Sequence, residues 1–228
     1  MKPLKLSLLT SIASICALTA QADLAHSYTF TPPDPLNDQT GSLTLSEGPD
    51  TGDITFNTGF VTFSGGPGDV DGAFLETEAS ISTDYTVSFF FRYSVAQAGF
   101  TGVMSSDNGG GYQIDFDSSN NLRVNGVGSG AALEAQPAFD TWHLVTITRD
   151  SVNGNKAWFN SDAGIALSAA PADLNTLTIG SNRNRDRSFK GDIADFRIYD
   201  GNTVWTDALQ DSTFSSGRVG VSTYAQCW

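Results

Sequence analysis

Residues 86–93 read Thr-Val-Ser-Phe-Phe-Phe-Arg-Tyr, a run that alternates with a two-residue period. Successive side chains of an extended strand point to opposite faces, so Val87, Phe89, Phe91 and Tyr93 share one face and Thr86, Ser88, Phe90 and Arg92 the other. Aromatic rings stand on both faces, which predicts a central strand covered on each side. Beyond residue 22 no segment sustains the 3.6-residue apolar period of a helix. Shorter alternating runs recur instead at 53–57, 59–64, 112–117, 122–125, 142–149, 156–160, 176–180 and 189–199. Between them lie Asn57-Thr-Gly59, Asp117-Ser-Ser-Asn-Asn121 and Asn153-Gly154, whose residues tolerate positive φ or bond their own backbone and so turn the chain. Roughly ten to twelve strands of this kind predict one all-β domain of two antiparallel sheets packed face to face.

The first 22 residues have another character. Lys2 and Lys5 precede an apolar run that begins at Leu6, and Ala20-Gln21-Ala22 supplies small residues where a signal peptidase cuts. The run is shorter than the roughly 20 apolar residues of a membrane span. A secretory signal over 1–22, a single sandwich domain over 23–211 and a tail over 212–228, the last a candidate closing strand, are therefore expected. A short helix at 207–210 with Thr206 as its cap is expected before the tail.

Removing 1–22 takes away two of the 12 Lys and Arg residues and none of the 25 acids, so the net charge falls from -13 to -15. So acidic a chain is repelled by nucleic acid and by anionic lipid, and neither nucleic-acid binding nor membrane insertion is expected. Cys16 leaves with the signal and Cys227 remains alone, so no internal disulfide is expected and stability must come from a core.

Several pieces stand in a telling order: "AHSYTF" and "DQTG", then "YTVSFFFRY", "WHLVTITRD", "LTIGSN", and "FKGDIADFRIYDG" followed by "TDAL". Together they resemble the laminin G-like branch of the concanavalin A-like lectin and glucanase sandwiches, over about residues 25–209. The most specific elements are Trp142-His143, which opens a strand, and Phe189, Gly191 and Ile193, which lead into Arg197-Ile198-Tyr199. The resemblance implies a concanavalin A-like jelly roll and, in most such domains, a non-catalytic module for glycans or proteins. It also implies calcium as a cofactor near the rim, with Asp38 of "DQTG" and Asp195 as its ligands. The family usually follows Gly-x-Ile with Asp-Glu; here Ala194 and Asp195 stand there, so one carboxylate is missing.

The sharpest local feature is basic. Arg183, Arg185, Arg187 and Lys190 fall within eight residues of this acidic chain, the arginines on the 181–188 rim loop and Lys190 at the start of the 189–199 strand that follows. If that loop is extended, its three arginines project together as a comb of guanidinium groups. Guanidiniums grip carboxylate and sulfate bidentately, which makes these four residues the candidate ligand-binding set for an acidic glycan or an acidic protein face. Pairing with local acids such as Asp186 and Asp192 is the plainer alternative. Trp158, beside Phe159, is a candidate sugar-stacking residue with a core role as its alternative.

Catalysis finds little support. Relatives that hydrolyse β-glucans carry a Glu-x-Asp-x-x-Glu strand, whereas this chain has only Glu47, Glu76, Glu78 and Glu134, with Glu76-x-Glu78 the one close pair. A polysaccharide lyase needs a base and a cation, which His143, Tyr112, Tyr199 and the arginines could supply; His143 reads more simply as a hydrogen-bonded structural residue. No catalytic residue is assigned. The expected function is a secreted, non-catalytic recognition or adhesion module for an extracellular carbohydrate or protein. A lyase or glycoside hydrolase of the same fold, and a structural subunit of a surface or matrix assembly, are the alternatives.

Overall fold

The computed structural model describes residues 23–48, 53–65, 72–81, 84–106, 112–124, 131–160, 162–168, 170–171, 173–182 and 184–200. The signal segment 1–22, Arg183, the helix expected at 207–210 and the tail 212–228 lie outside them. Along the chain come β1 (Asp23–Tyr28), β2 (Ser46–Glu47), β3 (Ile54–Asn57), β4 (Phe60–Ser64), β5 (Leu75–Ile81), β6 (Tyr85–Arg92), β7 (Thr101–Ser106) and β8 (Tyr112–Phe116). There follow β9 (Leu122–Val124), β10 (Ala131–Glu134), β11 (His143–Arg149), β12 (Lys156–Phe159), β13 (Ile165–Ala166), β14 (Leu174–Ile179) and β15 (Lys190–Asp200). Every run predicted from alternation falls on one of these strands, and every regular element among the described residues is a strand.

The strands form two antiparallel sheets, as expected. One has the order β13-β12-β11-β6-β15-β4-β3 with β1 joined to β15; the other has the order β10-β9-β8-β7-β14-β5-β2. β6 is central, paired with β11 from His143↔Phe91 to Arg149↔Tyr85 and with β15 on its other edge. β15 changes neighbours midway. Lys190 to Ala194 pair with β4, a bulge follows at Asp195, whose φ is 49°, and Phe196 to Asp200 pair with β1. A bulge bends a strand and strengthens its twist, which here hands β15 from one partner to the next.

Between the sheets the aromatic face of β6 meets its counterpart. Phe89 stacks on Phe196 at 5.1 Å, Phe91 meets Phe116 edge-on at 5.8 Å, and Phe116 stacks on Phe189 at 6.3 Å. Loss of one such ring costs about 3–5 kcal/mol. The other face of β6 is covered too, as its Phe90 required: Phe90, Leu144 and Ala194 form a small buried cluster flanked by Phe60 and Trp142. Arg92 lies 4.7 Å from the Trp142 ring and 5.6 Å from Phe60, held there by Asp192 through Nε at 2.9 Å and Nη2 at 2.6 Å.

Candidate ligand-binding rim

Antiparallel register brings four connections to one end of the sandwich: 93–100 after β6, 117–121 after β8, 135–142 after β10 and 180–189 after β14. Side chains tie them into one body. The Gln97 amide clamps the backbone of Lys190, accepting its N–H at 2.9 Å and donating to its carbonyl at 2.9 Å. The Gln97 N–H donates to Asn120 Oδ1 at 2.6 Å, Gln136 donates to the Ser119 carbonyl at 3.3 Å, and the Tyr93 hydroxyl donates to the Pro137 carbonyl. Burial pushes the Tyr93 hydroxyl up to about 12, so it stays a donor.

The basic segment lies directly on β7. Gly102 donates to the Arg187 carbonyl at 3.1 Å, and a Cβ at Gly102 would stand 2.5 Å from the Asn182 nitrogen and 2.7 Å from the Ser181 carbonyl carbon. Only glycine admits backbone this close. The segment is not extended, which corrects the comb. The Arg185 N–H donates to the Asn182 carbonyl at 2.9 Å with φ 64°, and the Asn182 side chain brackets Asp186 at 2.6 and 3.1 Å. The arginines therefore part company. Arg185 turns to Glu76 on β5, at 3.1 Å from Nε and 2.6 Å from Nη2, and lies over Phe74 at 5.5 Å. Arg187 lies over Phe100 at 5.6 Å, and the Lys190 side chain is exposed at the start of β15.

Phe100 is the feature that sequence reasoning missed. It is 40% exposed at the end of the first connection, and Arg123 of β9, distant from Arg187 in sequence, lies 5.1 Å from the same ring. Asp115 of β8 is fully buried and accepts from Arg123 Nη2. Desolvation pushes the Asp115 carboxyl up to about 6, against the hydrogen bond and charge of Arg123 and the charge of Arg187. Two further apolar side chains are exposed on this rim, Val95 and Phe139. A signal for Asp115 and Arg123 existed: the turn after Asp117 closes on Phe116↔Leu122, which places 115 opposite 123 by hairpin counting. Nothing in the pattern marked Phe100.

The other candidates are engaged elsewhere. His143 is buried in the core, donating from Nε2 to the Ala138 carbonyl at 2.8 Å and stacked on Phe159 at 5.0 Å; burial lowers its pKa. Trp158 is 1% exposed, clusters with Tyr199 and has Gly164, just before β13, packed against its ring, so it presents no surface to a sugar. Glu76 holds Arg185, and Glu78 accepts from the Thr176 hydroxyl at 3.2 Å.

Of the two aspartates expected to hold calcium, Asp38 is taken up by donors of the protein itself. Asp38 Oδ1 accepts from the amides of Ser27 and Thr40, both at 3.0 Å, while Oδ2 takes His26 Nδ1 at 2.6 Å and the Leu43 amide at 3.3 Å. Desolvation opposes its ionisation, but the donors from Gly41, Ser27, His26 and Thr40 outweigh it and hold the carboxyl well below the usual carboxylate range. Asp195 accepts from Arg197 Nε at 2.8 Å. The Asp38 oxygens, each taken by at least two donors, have no lone pairs turned toward a cation. Among the described residues no group of three or more His, Cys, Asp or Glu could hold a metal ion.

A laminin G-type family model, described as the concanavalin A-like lectin/glucanases superfamily, matches residues 67–207. Among curated proteins none matches the chain. A structure of botulinum neurotoxin type C, whose cell entry is described as dependent on interaction with two ganglioside molecules, superposes with TM-score 0.63 at 17% identity, covering 85% of this chain and 51% of that one. Domain 4 of AbnA, an extracellular arabinanase of Geobacillus stearothermophilus in complex with arabinotriose, gives TM-score 0.58 at 17% identity over 83% of this chain and 97% of that one. The Trypanosoma rangeli sialidase in complex with 2,3-difluorosialic acid gives 0.64 at 10% identity over 84% and 32%. The chain thus spans about half of the neurotoxin structure and about a third of the sialidase. At such identities the shared property is the fold.

Proposed function

This chain belongs to the concanavalin A-like lectin/glucanases superfamily, and from that premise we propose that it is an extracellular, non-catalytic recognition module whose rim around Phe100 binds carbohydrate. The observation that carries the reading is a 40% exposed aromatic ring with guanidiniums at 5.1 and 5.6 Å from its centre, beside cross-braced loops. The exposed part of that ring offers apolar surface for a sugar to pack on, and the guanidiniums offer directed donors to its oxygens. Of the four basic residues expected to bind ligand, Arg187 serves this face; the Lys190 side chain is exposed at the start of β15, Arg185 is engaged by Glu76 and Arg183 lies outside the described residues. The arabinotriose complex and the ganglioside-dependent neurotoxin support carbohydrate as the ligand class.

The test is affinity electrophoresis of the chain from Asp23 onward through gels holding neutral, uronic or sulfated polysaccharides, with the glycans then checked for shortening. Wild-type protein is expected to be retarded by at least one glycan, and Phe100→Ala to bind it about tenfold more weakly, the loss of one aromatic contact. Retardation by none of them would overturn the reading. Shortened chains would replace it with the enzyme.

A further inference from the structure

Asp115 stands on the face of β8 opposite to its core-facing neighbours Ile114 and Phe116, paired across the hairpin with Arg123. It is fully buried, yet its Oδ1 has no hydrogen-bond partner, and neither has Arg123 Nε. A buried donor and acceptor left unpaired cost stability, and such groups gather where a fold serves something other than its own packing. Above them the rim presents Arg123 and Arg187 against an exposed ring, on a chain whose net charge is -13. Positive charge concentrated there selects anions from everything that could stack on Phe100.

We infer that the rim takes a glycan bearing a carboxylate or sulfate group, which seats on Arg123 and Arg187 beside Phe100, and that Asp115 is an internal anion with which that group competes. This rests on the reading of the rim as a glycan site and names the chemical class of the glycan. An anion arriving near Asp115 disfavours its charged form, so binding draws one proton from solvent onto the carboxylate. The ionisable groups acting on Asp115 are Arg123 from β9 and Arg187 from the β14–β15 connection, which favour its charge, and Asp117 at the end of β8, which opposes it. Desolvation already lifts the carboxyl to about 6, which puts the coupling within a mild pH range.

Calorimetric titration with dextran sulfate, polygalacturonate and neutral dextran, at about pH 5 and about pH 7.5, tests this. Dextran sulfate keeps its charge throughout, so a change in its affinity belongs to the protein. The expected result is binding of either charged polymer at least about tenfold tighter than dextran, and a roughly tenfold gain for dextran sulfate at the lower pH that Asp115→Asn abolishes. Titration of the wild-type chain at about pH 6, in two buffers of different ionisation enthalpy, counts protons without any variant having to fold; a carboxyl near 6 is already half protonated there, so net uptake of about half a proton per site is expected. Zero uptake, or an Asp115→Asn response parallel to wild type, overturns the competition. Dextran bound as tightly as the charged polymers, and lost with Phe100→Ala, overturns the anionic class while the recognition reading survives. No binding to any of the three overturns both.

Discussion

Replacing Asp115 by Asn should change how the stability of the protein depends on pH. Burial lifts the Asp115 carboxyl from 3.8 to about 6 in the folded protein, so the native state holds this proton more tightly than the unfolded chain does. Above both values each state is ionised and the native state bears the full cost of a buried charge. The displacement is about two pH units, which at about 1.4 kcal/mol each amounts to about 3 kcal/mol. As pH falls through about 6 the native carboxyl protonates first, and the cost fades until it is gone below about 4. His143, whose pKa burial lowers, acts in the opposite sense over part of this range, and Asp38 loses its hydrogen-bonded charge only at stronger acid. Both are common to wild type and variant, so the informative quantity is the difference between the two proteins. Urea unfolding followed by tryptophan fluorescence, at about pH 7.5, 6, 5 and 4, should show wild type gaining about 3 kcal/mol relative to Asp115→Asn on acidification. Arg123, left with a neutral partner in the variant, shifts the whole curve but not its slope. Parallel curves would refute the argument that Asp115 is charged and poorly compensated at neutral pH.

Three further outcomes are expected. Gly102→Ala should push the 180–189 connection off β7, because its Cβ would meet backbone at 2.5 Å; a loss of about 1–3 kcal/mol in urea unfolding, together with weaker glycan retardation, is the expected pair of effects. A double-mutant cycle on Arg185→Ala and Glu76→Ala should return a coupling of about 1 kcal/mol or less, since both side chains are partly exposed; a larger value would mean that this pair, and not the backbone contact at Gly102, seats the loop. EDTA should leave both the thermal midpoint and glycan retardation unchanged, because Asp38 is occupied by protein donors; a drop restored by calcium would refute that assignment.

Strands with an apolar face were legible because one residue in two reports burial, as in β6, β11 and β15. β5 and β7 escaped notice for different reasons. Leu75–Ile81 spends its outward positions on Glu76 and Glu78 and one inward position on Ala79, which flattens the contrast between faces. Thr101–Ser106 is buried on both faces and slips register between Gly102 and Met104 and again before Ser105, so no period of two survives. At the rim, the basic cluster could be counted, but its geometry depended on positive φ at Arg185, a conformation that arginine adopts only when the surroundings impose it. Phe100 and Arg187 meet through the packing of two connections from different strand pairs, and no local pattern encodes that encounter.

The bulge at Asp195 has a consequence for how the chain is made. β15 supplies partners to β1, β4 and β6 at once, and β1 opens the described chain while β15 ends it. As residues emerge in order during synthesis, β6 can zip to β11 early, but its other edge, together with β1 and the paired edge of β4, must wait for residue 190 and beyond. Contacts so distant in sequence form slowly, and unpaired strand edges invite association in the meantime. Completion of this sandwich therefore waits for β15, and a chain stopped short of it would keep the second sheet and the β6–β11 pairing while β1 and the β3–β4 hairpin had no strand to join them to β6.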